Sequence, residues 1–377
     1  MKITSKLTLC TETSAKDFEK AIQNTLIPET KSLLILACEE DAWTSIQVDP
    51  ILSNCEIPVF GGVFPYIIYQ GKKLKQGTLV VGLNFSLDLI LVKNLSQGID
   101  SITAQLDSSN KEISQSKHLI TIIDGLTKNI ECFVDNLYNL VGQNSETLGC
   151  GAGYLDFVQR DCLFTNQGLI RDAAIIASLP TPYKSGISHG WEILEGPYLV
   201  TSSDGNILET LNYSPAFNIY QEQVEKNSGK KFNDHDFFDL AKTYPFGIED
   251  LEGHILVRDP ILLKGDSLVC VGEVPENSMV YLLKGHSKNL IEAAGDAAKS
   301  AYDAIEDKKD KSLTAILFDC ISRVLFLNDD FDKELESIAR NLDNNDEIFG
   351  ALTLGEIGNI GNGSIELLNK STVIAVF

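Results

Sequence analysis

A lone acid, Glu356, stands in the glycine-rich stretch GALTLGEIGNIGNG at 350–363, directly behind Phe349, Ala351, Leu352 and Leu354. It is either a solvated turn residue or a group held against a donor, because burying an unpaired carboxylate costs several kcal/mol. Cys320 and Arg323 lie three residues apart, just past the apolar run TAILF. Such a strand end is a usual place for ligand contacts in α/β folds. The planar guanidinium suits a carboxylate or a similar anion; the alternatives are an arginine paired with a neighbouring acid and a cysteine that simply packs. Arg258, in ILVRDP, follows three apolar residues and either meets a ligand at the core edge or is held by the adjacent Asp259. We expect Cys320, Arg323 and Glu356 to face one pocket in the C-terminal part, with Arg258 nearby. Arg323 would hold an anionic group and Glu356 a cationic or hydroxyl group, a pairing that suits a zwitterion such as an amino acid.

Other chemistries are poorly supplied. The five histidines (His118, His189, His235, His254 and His286) form no H-x-x-x-H pair, and the eight cysteines form no C-x-x-C, so no zinc or redox site is expected. A haem needs only one proximal His or Cys; His189, beside Trp191 in SHGW, is the best-placed ligand for one, the alternative being a loop histidine. There is no G-x-S-x-G elbow and no G-x-x-x-x-G-K-[ST] phosphate loop. GCGAG at 149–153 lacks the spacing of a dinucleotide fingerprint, and NDDFDKELE at 328–336 lacks the central glycine of a calcium loop. The chain is therefore read as a non-enzyme.

The elements that must position these residues follow an internal pattern. Three stretches, 33–85, 119–179 and 313–377, each run through an apolar strand, a helix-bearing polar stretch, a glycine-rich strand, a hairpin turn and a closing apolar strand. The opening and closing runs have the continuous apolar character of strands covered on both faces. Helical spacing joins Ile130, Phe133, Val134 and Leu137 in the second stretch, and Leu335, Ile338, Ala339 and Leu342 in the third. A rough alignment puts Tyr66 and Leu155 opposite Glu356, so an acid here stands where the other stretches are apolar or aromatic. An insert between the second and third stretches reads as a hairpin turning at Asp204-Gly205, a helix begun by Ser214-Pro215, and further strands over 254–285. The fold class expected is α/β, with mixed sheets, outer helices and a repeated strand-helix-strand-strand unit. The expected domains are 1–213 and 214–377.

Composition narrows the partners. With 53 acidic against 31 basic residues the net charge is −22, which repels phosphate backbones and anionic lipid surfaces. GKKLK at 71–75, the densest basic cluster, reads as a hairpin rim, so no nucleic-acid partner is expected. No apolar run reaches the roughly 18 residues of a membrane span, and MKITSKLTLC has no secretory core. No membrane insertion and a cytoplasmic location are expected.

In their order along the chain, VFGGVFPYIIYQGK, GCGAGYLDFVQRDCLFTNQG and HGWEILEGPYLVT, then PAFNIYQ, YPFGI, ILVRDPI, LFDCISR, FGALTLGEIG and NKSTVIAVF, resemble the FIST domain proteins, with their FIST N and FIST C parts. The resemblance covers nearly the whole chain from about residue 30. It implies a bacterial-type sensory protein that binds a small ligand. Some members resemble haem proteins that report nitric oxide to histidine kinases, which makes a haem the alternative to no cofactor. Where the family pattern has a glycine between the Cys and Arg of C-x-x-R, this chain has Ser322. No output segment is recognised before the chain ends at Phe377, so a signal is expected to pass to a separate protein such as a histidine kinase.

Overall fold

The computed structural model describes residues 2–250, 253–306, 312–343, 346–361 and 363–377. The protein is mixed α/β, with helices outside mixed sheets. The continuous apolar runs become the opening strands Ser32–Cys38, His118–Asp124 and Thr314–Cys320, buried almost end to end. Each pairs in parallel with a glycine-rich strand: Val59–Phe64, Glu146–Ala152 and Glu347–Thr353 respectively. On its other side each pairs antiparallel with a closing strand, Thr78–Leu83, Ala173–Ser178 or Thr372–Val376. An outer strand completes that edge: Thr4–Cys10, Asp88–Lys93 or Lys184–Ser188.

Beyond each glycine-rich strand lies a hairpin supplied by a different stretch of chain. The hairpin of the first stretch, Tyr66–Tyr69 with Lys72–Leu74, joins the third sheet. That of the second, Leu163–Thr165 with Gly168–Ile170, joins the first sheet. That of the third, Glu356–Ile360 with Ser364–Leu368, joins the second sheet. The registers coincide as well. Gly61, Gly149 and Gly350 face Ile35, Thr121 and Leu317, each the central residue of its opening strand. A Cβ would stand 2.0 Å from the Ile35 carbonyl oxygen at Gly61, 1.8 Å from that of Leu317 at Gly350, and 2.4 Å from Thr121 Cγ2 at Gly149. Only glycine permits the close approach at these crossings.

The insert folds differently from the expected mixed sheets. Six antiparallel strands close into a ring: Glu192–Asp204, Met279–Lys284, Phe246–Glu249, Ile255–Lys264, Ser267–Val271 and Ile207–Leu211, the last pairing back onto the first. The helix Ala216–Ser228 buries Tyr220 and Val224 in this barrel's core. Three of the four sheets take strands from both sides of residues 213 and 214, so hydrogen-bonded ladders cross that boundary. Among the described residues no helix is long and apolar enough to cross a membrane.

Candidate functional site

A cavity of about 430 Å³ lies where the second and third sheets meet the barrel. Its volume falls in the range of about 300 to 1,000 Å³ usual for small-molecule sites. The walls come from the C-terminal ends of parallel strands, the usual ligand-binding edge of such sheets. Residues 125–131 follow the opening strand His118–Asp124; Cys320 ends the opening strand Thr314–Cys320; Leu354 and Gly355 follow the glycine-rich strand of the third sheet. The barrel supplies the roof through Asn206, Ile261 and residues 270–273. Leu126, Phe157, Leu325, Leu354 and Leu367 give the lining its apolar part, Asn206, Ser322 and Asn369 offer neutral polar groups, and Lys128, Glu131 and Glu273 bring charge to it.

Polar contacts pin the roof to the walls. Glu273 N–H donates to Glu131 Oε1 at 2.7 Å, and Asn369 Nδ2 donates to the Val271 carbonyl at 3.1 Å. Burial, then the neighbouring Glu131 and Asp135, raise the Glu273 pKa. Behind the lining, Ser322 Oγ donates to Asp259 Oδ2 at 2.9 Å, and the fully buried Lys370 ammonium lies 3.0 Å from the same oxygen. Lys370 also donates to the Lys242 carbonyl at 3.0 Å, so this buried pair ties the barrel to the third sheet.

The four residues singled out in the sequence do not face one pocket, although Cys320 hydrogen-bonds Glu356 and Arg323 lies near enough to act on both. Cys320 lines the cavity; Arg323, Glu356 and Arg258 do not. Arg323 is wholly buried and uses all five of its donors inside the protein. Nε and Nη2 grip Glu334 at 3.0 and 2.6 Å, Nη1 meets the His189 and Lys370 carbonyls, and Nη2 also meets the Leu290 carbonyl. Asp319 lies 3.2 Å from Nε, so two acids flank the guanidinium and no donor is left for a ligand. The alternative of an arginine paired with neighbouring acids is what the structure shows, with Glu334 and Asp319 as the partners.

Glu356 is buried against neutral donors: Thr353 Oγ1 at 2.7 Å and the Ser371 N–H at 3.3 Å. Burial pushes its pKa up to about 8, against the pull of Thr353, Ser371 and Cys320. It is thus a structural acid whose proton state matters, not a solvated turn residue. Arg258 donates to carbonyls of Glu273, Val257 and Leu367 at 2.8, 3.1 and 3.2 Å, while Asp259, its expected partner, pairs with Lys370. Arg258 therefore clamps the roof to the hairpin of the third stretch from behind the lining.

The cavity lining offers a haem no histidine among the described residues, and burial raises both lining thiols, Cys270 to about 12 and Cys320 well above the ordinary value. His189 stands elsewhere; its Nδ1 accepts the Trp191 N–H at 3.0 Å, and burial, then Arg323, lower its pKa to about 4. Among the described residues no cluster of three or more His, Cys, Asp or Glu could hold a metal ion. Sequence reasoning missed Ser322 and Asn369 as lining groups and Lys370 as the buried cation. The only sequence signal was their place at the edges of the apolar strands ending at Cys320 and beginning at Thr372.

Comparison with known families gives two adjoining matches. The FIST N domain model matches residues 32–214, and the FIST C domain model matches residues 216–359. No curated protein matches the chain.

Proposed function

The chain belongs to the FIST domain family, and from that premise we propose that it is a sensor whose small organic ligand occupies the cavity under the barrel. FIST domains are associated with sensory signal transduction. The observation that carries the reading is a ligand-sized cavity with an apolar body and a few polar groups, bounded by the second sheet, the third sheet and the barrel. A ligand there touches the second sheet, the third sheet and the barrel roof together, so its binding energy can alter how they sit on one another. The signal then passes to a separate partner protein, of the histidine-kinase kind that the family resemblance implies.

The ligand's class follows the walls and not Arg323 and Glu356, which lie outside the cavity. An apolar body with a polar or zwitterionic end suits a lining that joins leucines to Asn206, Ser322 and Asn369 and to the charged Lys128, Glu131 and Glu273. Apolar L-amino acids are one such class and form the first panel. Native mass spectrometry of the purified protein, followed by thermal shift with that panel, tests the proposal. A ligand at a hundred times its Kd stabilises by about 2.7 kcal/mol. A retained molecule whose binding Leu325→Trp abolishes is expected; retention that ignores this cavity-filling change sinks the assignment.

A further inference from the structure

Residues 153–162 connect the glycine-rich strand Glu146–Ala152 to the hairpin strand Leu163–Thr165, and they run between two hollows. On one side Phe157 borders the roofed cavity. On the other, Tyr154, Asp156 and Arg160 border an open dish of about 430 Å³ completed by Glu39, Trp43 and Thr44. The loop is fastened towards both. Leu155 N–H donates to Glu39 Oε2 at 2.7 Å, beside the dish. Gln159 Nε2 donates at 2.7 Å to Asp124 Oδ2, at the base of the 125–131 segment that walls the cavity.

Phe157 has two features that core packing does not explain. Its ring is 51% exposed although it faces an apolar cavity. Its φ of +55° lies in the left-handed region, which bulky side chains disfavour. Such a conformation persists only where the surroundings hold it, and it concentrates at ligand clamps and switches. The Phe157 N–H donates to the Tyr154 carbonyl at 3.1 Å and the Val158 N–H to Asp156 Oδ1 at 3.0 Å, and the Leu155 and Gln159 anchors flank this turn.

We propose that Phe157 is a ligand-contacting gate over the cavity, and that its loop carries the cavity's occupancy to the dish around Arg160. The inference rests on the cavity being the ligand site. A ligand that draws the exposed ring inward turns the backbone at 157. Asp156 is the adjacent residue and Arg160 is three further on. Arg160 Nη2 holds both Asp156 oxygens, at 2.7 and 2.8 Å, and its guanidinium lies 4.0 Å from the Tyr154 ring centroid. Turning residue 157 therefore disturbs the Arg160 clasp, the Leu155–Glu39 bond, or both. The dish is the face on which the sensor's state is displayed.

The probe is 1-anilinonaphthalene-8-sulfonate, a fluorescent amphiphile for apolar cavities, used on the full chain with hydrogen exchange of segments 153–161 and 39–44. Binding that Leu325→Trp weakens at least about ten-fold is expected, a change of about 1.4 kcal/mol. The bound probe should slow exchange in 153–161 and alter it in 39–44. Phe157→Ala, in the loop and half-exposed, should weaken the probe several-fold and leave 39–44 indifferent to it. Binding that Leu325→Trp leaves untouched, or no binding at all, overturns the cavity as the ligand site and this inference with it. Binding blocked by Leu325→Trp but unaffected by Phe157→Ala, with unchanged exchange in 153–161, overturns the gate alone.

Discussion

Two junctions between neighbouring sheets use the same parts and end up unlike each other. Between the second and third sheets, the segment after one opening strand (125–131) and the exit of the next glycine-rich strand (354–355) border a roofed hollow. Between the first and second sheets, the matching segments, 39–44 and 154–160, border an open dish that holds the Arg160 side chain. At the junction of the third and first, Lys73 lies 5.3 Å from the Tyr66 ring centroid and 5.4 Å from that of Phe331. The two hollows come from matching segments and have the same volume of about 430 Å³; the barrel roof encloses one and leaves the other open, so the specialisation lies in the insert more than in the strand pattern.

The largest effect should come from breaking the rigid support behind the roofed junction. Arg323→Met leaves Asp319 and Glu334 buried without their cation, and breaking a buried pair on one side costs about 3 to 5 kcal/mol. Arg258→Met removes bonds to carbonyls and the cation near Glu131, Glu366 and Glu273, but it breaks no direct ion pair, so the loss should be smaller. Urea denaturation measures both. Equal losses would mean that Arg323 is not the firmer support.

Next in size is a pH effect at the same support. Glu356 has a folded pKa of about 8 against an ordinary 4.5, so the folded state binds more protons between those values, and stability falls as pH rises through that window. His189 has a folded pKa of about 4 against 6.5, so its contribution is present above pH 6.5 and is lost as pH falls towards 4. Together these two groups give little slope between about pH 4.5 and 6.5, then a decline up to about pH 8, at about 1.4 kcal/mol per unit at most. Glu356→Gln should remove the decline above pH 6.5 and unmask the His189 loss as pH falls from about 6.5 to 4.5. An unchanged alkaline slope in that variant would contradict the buried, proton-holding Glu356.

The sheets' strands were legible because continuous apolar runs leave few alternatives: Ser32–Cys38, His118–Asp124 and Thr314–Cys320 lie inside or overlap the runs read from sequence. The helical spacing in Ile130–Val141 was equally plain. The exchange of hairpins was not legible, since short apolar strands carry no mark of which edge they join. The alignment of Glu356 slipped for a related reason. Its partner across the ladder is Cys150, and the matching pairings, Leu163 with Gly62 and Ile67 with Ala351, place Leu163 and Ile67 as its counterparts, not Leu155 and Tyr66. The second stretch has a ten-residue loop, 153–162, where the third has only 354 and 355, and sequence order alone does not weigh such an insertion. The position is apolar in the other two stretches, as expected, but the acid serves the core. The reading of Arg323 as paired with a neighbouring acid was open in the sequence, but the carbonyls of His189, Leu290 and Lys370 that take its remaining donors lie far along the chain. The cavity was invisible because its walls come from three stretches that meet only in the fold.

We propose that the three stretches are copies of one unit, on the strength of the shared registers at Gly61, Gly149 and Gly350. Superposing them on the opening and glycine-rich strands should bring these glycines together, with the following hairpins leaving in one direction. Glycines that diverge under that superposition would make the likeness one of strand order alone.

The smallest expected effect belongs to Arg160, and it sharpens the comparison most directly. Arg160 and Asp156 are about half exposed, at 45% and 52%. Their contact, with the Tyr154 stacking, should therefore contribute little to stability. Arg160→Ala should shift the melting temperature little. It empties the dish of its own cation and leaves Trp43, Tyr154 and the Glu39 carboxylate facing open space. If the roof is what makes a chamber, the emptied dish stays a surface feature, and titration with 1-anilinonaphthalene-8-sulfonate shows no new saturable site. If a second site appears, insensitive to Leu325→Trp, then the two junctions differ by one arginine and not by the barrel. A dish is poorly enclosed, and apolar binding scales with the area removed from water on all sides of the ligand. The roofless junction lacks one of those sides, which is why the first outcome is expected.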